Sequence, residues 1–503
     1  MKKTEEITLI SPDSRIQSFG VRTLSSCLKK EGYKVKIIFI TSPLGTTYSD
    51  EMLDGVINIC KGSAFVGISV MTNFFSNAVQ ITERIKETLD MPIIWGGIHP
   101  TIRPLECLNH ADIVCIGEGE EAIVEFANKI HTSHEIKNIW FNDNGKITKN
   151  NLRPLIQNLD SLPFQDYDYE THYILDKSIR RMNINLLKNY TKKIYMTIST
   201  RGCPFGCTYC CNNTLNRMYP NQNIIRKRSI DNLIDELKLA KKRLPFIEEM
   251  MFGDDAFFFY TADEIKDFSE KYKEDVGLPL IINGATPTTL TREKFLPLVE
   301  AGLKEIRVGI QSGSEYTRKL YRRSYSNHRI EEIVRMMEEF KGQIKPPRYD
   351  IILDNPWESD DNLRETLIML SKFLPPFCLS LFSLTFYPET ELYEKAKREG
   401  IIIDDLKEIY HKHYTKDIRK TYFNKLFFLL KYSGESGQKI SERTMSLLTN
   451  KKLISLKLNW MLYCILYIKT IGGFKIQRVN HLLTELSKDI KENNWFRITG
   501  YLK

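Results

Sequence analysis

No stretch of this chain stays apolar over the about 20 residues that a membrane-spanning helix requires. The longest run, 458–468, is interrupted by Asn459 and flanked by Lys457 and Lys469. Dense basic tracts are also missing. The 72 Lys and Arg exceed the 63 Asp and Glu by only nine over 503 residues, which argues against a dedicated nucleic-acid binder. Glycine (26) and proline (19) are not in excess, so collagen-like and low-complexity classes are excluded. The start, MKKTEEITLISPD, places two glutamates after its lysines and has too short an apolar run for a secretory leader. The ten cysteines form no disulfide framework, because Cys27, Cys60, Cys107, Cys115, Cys378 and Cys464 stand singly and read as small buried hydrophobes. A reducing cytoplasm is the expected compartment. What is present is a globular composition, 42% hydrophobic and 27% charged, long enough for two to four domains of about 100 to 200 residues.

Short apolar runs alternate with amphipathic stretches from residue 6 to about 130, the rhythm of a parallel sheet wrapped by helices. Strands are expected at 7–10, 35–40, 65–70, 92–95 and 113–116, with helices near 19–31, 76–89 and 120–131. The fold class is α/β. Its N-terminal part is flavodoxin-like (Rossmann-type), and ligands in such folds sit beyond the carboxyl ends of the strands. Those ends read Ser11-Pro12-Asp13, Met71-Thr72-Asn73, Gly96-Gly97-Ile98-His99-Pro100 and Gly117-Glu118-Gly119-Glu120. Asp143-Asn144-Gly145 signals a tight hairpin. Residues 151–170 carry neither period and read as a linker. Alternation resumes with strands at 194–199, 247–252, 279–283, 305–310, 348–353 and 379–386, enough for a partial (β/α)6 barrel whose chemistry collects at the carboxyl ends of its strands. After 400 the pattern is helical. The expected domains are 1–150, a linker over 151–190, a barrel over 191–398 and a helical region over 399–503.

The first barrel strand runs into Thr200-Arg201-Gly202-Cys203-Pro204-Phe205-Gly206-Cys207-Thr208-Tyr209-Cys210. Three thiols at C-x3-C-x2-C on a glycine-bearing loop can hold three irons of a [4Fe-4S] cluster and leave the fourth iron open to an external chelator. Structural zinc wants four ligands, and no partner pair of Cys or His stands nearby. Cys211 falls outside the spacing and reads as a packing residue.

This motif at the end of a first barrel strand resembles the radical SAM superfamily. The resemblance implies that Cys203, Cys207 and Cys210 are cluster ligands and that the open iron is chelated by S-adenosylmethionine, whose reductive cleavage gives a 5′-deoxyadenosyl radical. It further implies Tyr209, Asp254, Gln311, Ser312 and Pro388 as S-adenosylmethionine contacts. Asp254 belongs to Met251-Phe252-Gly253-Asp254-Asp255-Ala256-Phe257, similar to the family's second-strand acidic pair. Gln311 and Ser312 belong to the fourth-strand segment Gly309-Ile310-Gln311-Ser312-Gly313-Ser314, and Pro388 to the closing Phe386-Tyr387-Pro388-Glu389-Thr390. Two departures stand out. Glu389 replaces the family's usual glycine, and Asp354-Asn355-Pro356-Trp357-Glu358 lacks the glycines of Gly-Leu-Pro-Gly-Glu.

The N-terminal strand ends resemble the cobalamin-binding domain that precedes many radical SAM barrels. Thr72, Gly96, Gly97, Gly117 and Glu118 are the implied cobalamin contacts, and the Gly-Gly pair would let backbone approach a bulky corrin. The Asp-x-His-x-x-Gly motif that supplies a lower histidine ligand is absent, so His99 is expected to line the fold. Reduced flavodoxin or ferredoxin is the implied electron donor.

The resemblance implies a cobalamin-dependent radical SAM enzyme that methylates an unactivated carbon. Cyclisation, rearrangement or carbon-carbon coupling is the alternative within the class, and a non-catalytic iron-sulfur electron-transfer or sensing protein the alternative outside it. No residue of the sequence is assigned a catalytic role, and the substrate is expected to be a small or lipid-like molecule. Residues 401–503 hold 19 Lys and Arg against 9 Asp and Glu, with apolar segments at 423–430 and 453–474. These read first as a helical lid over the barrel, and second as a peripheral contact with the inner membrane face through 423–474.

Overall fold

The computed structural model describes residues 6–455 and four positions beyond them, Trp460, Tyr463, Cys464 and Tyr467. The chain divides into two compact units. The first holds everything up to Gly284 together with Leu296–Leu303 and Thr385–His413; the second holds the remainder.

The first unit is built on a parallel sheet of β1 (Glu6–Ser11), β2 (Lys34–Ile40), β3 (Ser63–Ser69), β4 (Ile93–Gly96) and β5 (Ile113–Cys115), in the spatial order 5-4-3-1-2. That order is flavodoxin-like and puts the switch point between β1 and β3. Both faces are covered, so the strands are apolar almost throughout; Ile7, Ile37, Phe65 and Ile93 are all fully buried. The covering helices are α1 (Phe19–Lys30), α2 (Asp50–Cys60), α3 (Phe75–Thr88), the short α4 (Ile98–Ile102) and α5 (Pro104–Cys107), and α6 (Glu120–Lys129). The α2 helix has no counterpart in the sequence expectation, because Gly55 interrupts its pattern. A Cβ at Gly55 would lie 2.8 Å from the Ile179 side chain, so the glycine serves close packing.

The expected hairpin is β6 (Ile139–Asp143) and β7 (Lys146–Lys149), turned at Asn144 and Gly145 with φ of 51° and 92°. It extends the β5 edge antiparallel. The opposite edge grows in a way the sequence did not announce. After the linker, β8 (His172–Leu175) pairs parallel with β2, and β9 (Ile179–Arg181) folds back on β8.

From α7 (Ile184–Thr191) the chain enters β10 (Ile194–Thr197). The two-residue β11 (Thr200–Arg201) follows, then the cysteine loop and α8 (Cys211–Met218). β12 (Arg226–Lys227) pairs antiparallel with β11 and closes the base of that excursion. Helices α9 (Ile230–Arg243) and α10 (Ala262–Asp275) flank β13 (Glu249–Phe252), and β14 (Leu280–Ala285) follows; β10, β13 and β14 are parallel in chain order.

The second unit repeats the theme with parallel β15 (Leu303–Gln311), β16 (Arg348–Leu353) and β17 (Cys378–Ser383). All six strands expected between 194 and 386 are present. The apolar segment 423–430 lies in helix Tyr422–Glu435, where Phe423, Leu426, Phe427, Leu429 and Leu430 are buried against β17 and helix Asp360–Ser371. Most of 453–474 lies outside the described residues. Among those described, Trp460 is 38% exposed and Tyr463 is buried, both in ring contact with Tyr422. No helix among the described residues is long and apolar enough to cross a membrane.

Candidate functional site

A cavity of about 390 Å³ lies within the first unit, in the size range of small-molecule sites. One wall is rich in glycine. Gly20 on α1, Gly67 on β3, Gly96 at the end of β4, Gly97 just past it, and Gly117 and Gly119 after β5 all line it, together with Leu24 of α1 and Ile123 of α6. Gly97 has φ +102° and caps α4, and Gly117 has φ +79°. A Cβ at Gly117 would stand 2.0 Å from the hydroxyl of Tyr219, so any larger residue there must displace that ring as well as adopt a positive φ. The other wall comes from the cysteine-loop excursion: Arg201, Gly202, Asn212, Leu215, Asn216, Tyr219 and Arg226.

Of the expected cobalamin contacts, Gly96, Gly97, Gly117 and Glu118 therefore meet at one cavity, and Thr72 does not. Thr72 is buried and hydrogen-bonds through its hydroxyl to Nδ1 of His99 at 3.2 Å. His99 is itself fully buried, away from the cavity lining, in edge contact with Phe75 and Tyr410. Burial, reinforced by the Arg103 cation, pushes its pKa down to about 3.

Glu118 is held by side-chain ties. Its carboxylate accepts from Arg226 at 2.6 Å, from Arg201 at 3.1 Å and from the Ile156 N–H at 2.8 Å. Arg201 also pairs with Glu120 at 2.5 Å. Burial works against the charge of Glu120, yet Arg201 holds its pKa below the ordinary carboxylate value. This four-charge group fastens the β5 end of the N-terminal sheet to both strands at the base of the cysteine loop. Arg226 and Tyr219 carried no recognisable sequence motif.

Cys207 is buried, and Cys203 and Cys210 are half-buried. Gly202 starts the loop at φ +82°, where a Cβ would meet the Ile224 carbonyl at 2.1 Å. The Asn216 amide donates to the Cys203 carbonyl at 2.7 Å. Leu392 N–H donates to the carbonyl of Thr208, the neighbour of half-buried Tyr209, at 3.0 Å. Buried Pro388 lies on the same closing turn. Glu389 adopts φ +62°, a left-handed conformation that favours glycine; its carbonyl accepts from Thr214 (2.8 Å) and Arg217 (2.9 Å). Asp354 likewise takes φ +63°, so at both departures from the family pattern a non-glycine residue holds a left-handed backbone. Asp254 is buried at the end of β13; burial pushes its pKa up to about 6, against hydrogen bonds from Thr200 and Ser199.

In the second unit Gln311 sits at φ +68° on a bulged strand end. Ser312 is buried against Thr366 (3.0 Å) and Glu358 (3.5 Å). Glu358 also accepts from Thr317 at 2.7 Å, and burial lifts its pKa to about 7. Among the described residues no group of three or more His, Cys, Asp or Glu is gathered closely enough to hold a metal ion, the three loop cysteines included.

Comparison with known proteins agrees with this arrangement. The radical SAM superfamily model matches residues 197–370, and the B12 binding domain model matches residues 6–127. An uncharacterized methyltransferase of Pyrococcus horikoshii is 25% identical over 397 residues, covering 76% of this chain and 79% of that protein. The anaerobic magnesium-protoporphyrin IX monomethyl ester cyclase of Rubrivivax gelatinosus is 22% identical over 405 residues, covering 76% and 67%. The structure of the cobalamin-dependent S-adenosylmethionine radical enzyme OxsB with aqua-cobalamin bound superposes with a TM-score of 0.66 at 16% identity, over 98% of this chain and 81% of that one. The fold and the paired domains thus define a radical SAM barrel behind a B12 binding domain. The chain belongs to the cobalamin-binding radical SAM enzymes, methylase-like in architecture, and its cofactors are a [4Fe-4S] cluster, S-adenosylmethionine and cobalamin.

The residues present fit these groups. Glycines line one side of a cavity of small-molecule size, three thiols stand on one loop at the spacing a cluster uses, and Asp254 Oδ2 is a buried carboxylate oxygen with no hydrogen-bond partner.

Proposed function

We propose that the enzyme methylates an unactivated carbon of a small or lipid-like molecule. The observation that carries this reading is the single cavity bounded by the glycine-lined strand ends and by the helix that follows the cysteine loop. Cobalamin bound there would supply a transferable methyl group, and the cluster with S-adenosylmethionine, held on the adjoining cysteine loop, would supply hydrogen-atom abstraction.

The chain's own residues have separable parts in this. Cys203, Cys207 and Cys210 hold the iron, with Gly202 giving the loop its turn. Gly96, Gly97 and Gly117 let backbone approach the corrin, and Glu118 keeps the two walls in register through Arg201 and Arg226. Thr72 supports the same loops from behind, through His99. Tyr209 and Pro388 face the adenosine side, and Asp254 offers Oδ2 to the ammonium group of S-adenosylmethionine. Gln311 and Ser312 contribute the fourth-strand contact. Residues 1–150, completed by two strands from the linker 151–190, form the cobalamin-binding part, 191–398 the barrel and 399–503 a helical addition. Reduced flavodoxin or ferredoxin delivers the electron, in the cytoplasm. Burial of 423–430 leaves 453–474 as the segment for any membrane contact, which vesicle flotation decides.

The test is anaerobic turnover with S-adenosylmethionine carrying a trideuterated methyl group, a reductant, cobalamin and a metabolite extract. A product that gains the labelled methyl is expected. An unlabelled, ring-closed product would overturn methylation in favour of cyclisation, the reaction named for the Rubrivivax relative. Failure to cleave S-adenosylmethionine at all would favour a non-catalytic iron-sulfur protein.

A further inference from the structure

The turn after β13 carries a carboxylate whose two oxygens are used differently. Asp254 is 3% exposed. Its Oδ1 accepts from the N–H and hydroxyl of Ser199 (both 2.8 Å) and from the N–H and hydroxyl of Thr200 (2.6 and 2.7 Å). Oδ2 accepts nothing. Ser199 and Thr200 are buried and form the step from β10 into the cysteine loop, three residues ahead of Cys203.

The rest of the turn grips the same loop at other points. The Tyr260 hydroxyl donates to the Ser199 carbonyl at 3.1 Å and to the Arg228 carbonyl at 2.8 Å. Phe259 meets Phe205, inside the loop, edge-on at 5.6 Å. Asn212, just past the last cysteine of the motif, donates to Asp255 at 2.9 Å. The backbone of β14 packs tightly on this turn: a Cβ at Gly284 would lie 2.3 Å from the Asp254 carbonyl oxygen. Hydrogen bonds from neutral donors to a buried anion are the strong kind, and removing the acceptor leaves the donors unsatisfied in the interior.

We propose that Asp254 is a positioning residue for the iron-sulfur loop. Through Oδ1 it fixes Ser199 and Thr200 and so sets where Cys203 stands, a role distinct from any contact of Oδ2 with S-adenosylmethionine. Tyr260 holds the same start of the loop through the Ser199 carbonyl, and Phe259 and Asp255 extend the bracket to its middle and far end. The proposal rests on the reading of Cys203, Cys207 and Cys210 as cluster ligands.

The experiment compares the full-length wild type with Asp254→Ala, Asp254→Asn and the double change Ser199→Ala with Thr200→Val, each reconstituted anaerobically with iron and sulfide. Iron retained against a competing chelator, the electron paramagnetic resonance of the reduced cluster, and S-adenosylmethionine binding by equilibrium dialysis are read for each. Cobalamin uptake reports on the N-terminal part of the fold. Asp254→Ala and the double change should each retain iron about tenfold less well, with cobalamin uptake unchanged. Asp254→Asn keeps a carbonyl oxygen in place of Oδ1, so it should hold iron within about twofold of wild type while binding S-adenosylmethionine more weakly. Full iron retention and an unshifted spectrum in the double change would overturn the positioning role and leave Asp254 a cofactor contact alone. Loss of cobalamin uptake together with iron would also overturn it, by making these residues general supports of the fold. A wild type that takes up no cluster would instead refute the ligand assignment beneath the proposal.

Discussion

The two walls of the cavity are built by opposite means. The N-terminal wall is rich in glycine, six in all, set among apolar side chains such as Leu9, Phe19, Leu24 and Ile123. The wall from the cysteine-loop excursion consists of long side chains held by charge and hydrogen bonds, such as Arg201, Arg226, Asn216 and Tyr219. Glycine makes room, and long side chains set position. A large rigid ligand needs the first; a loop that must present three thiols in a defined arrangement needs the second. The walls should therefore fail differently when altered.

The largest effect is expected on the cysteine side. Changing any one of Cys203, Cys207 or Cys210 to Ala should abolish the visible absorbance of the cluster and formation of 5′-deoxyadenosine, while cobalamin uptake continues. Iron retained in the triple variant would erase the contrast between the walls.

Next comes the charge group that joins them. Glu118→Ala leaves Arg226, 5% exposed, without its carboxylate, and should cost about 3 kcal/mol in urea unfolding of the apoprotein, because removing one partner of a buried pair strands the other. A loss near zero would mean that the ties across the cavity carry no load.

Gly117→Ala tests the backbone wall. Its positive φ and the 2.0 Å approach of the Tyr219 hydroxyl predict a loss of about 2 kcal/mol and weaker cobalamin binding. Adding Tyr219→Phe should restore roughly half of the stability, since the next ring atom lies 3.4 Å away. No recovery in the double variant would show that φ alone, and not the tyrosine, demands glycine.

His99 sharpens the comparison from behind the backbone wall. Burial, with Arg103, lowers its folded-state pKa to about 3, against an ordinary value of 6.5. Below 6.5 the unfolded chain binds the proton and the folded chain does not, so the stability from neutral His99 is complete above 6.5 and is lost as pH falls towards 3. Melting temperatures of wild type minus His99→Gln, followed from pH 7 to pH 4, should converge as the solution is acidified. A constant difference would sink the assignment.

The smallest effect should be a gain. Glu389→Gly relieves a left-handed backbone at φ +62° and should add about 1 kcal/mol, less whatever the 3.3 Å contact of Glu389 with Arg103 contributes.

The contrast between the walls also explains what the sequence disclosed. Backbone-built features leave compositional marks: Gly96-Gly97, Gly117 and the loop glycines sit at strand ends that periodicity alone locates, and all six barrel strands could be placed the same way. Features built from distant side chains leave none. Arg226 lies 108 residues from Glu118, and nothing local in either segment announces the pair. Asp254 was legible as a polar strand end, whereas its use of one oxygen for Ser199 and Thr200 depends on a turn 55 residues away. At Thr72 the converse holds: it stands at a strand end, but the chain turns there into a one-turn helix, and its hydroxyl bonds His99, a contact no local pattern announces. The α2 helix was hidden by Gly55, and β8 and β9 by their length of four and three residues.

Those two short strands bear on heredity as well as architecture. A chain severed after residue 150 would lack the neighbour of β2 and present Ile37, Ile38, Phe39 and Ile40 along an open sheet edge, a template for aggregation. Recombination that moved the N-terminal sheet as a cassette would have to carry residues 151–181 with it. The unit of inheritance for this cofactor site is therefore longer than the 6–127 matched by its family model, and a chimera joined at residue 182 should express where one joined at 150 precipitates.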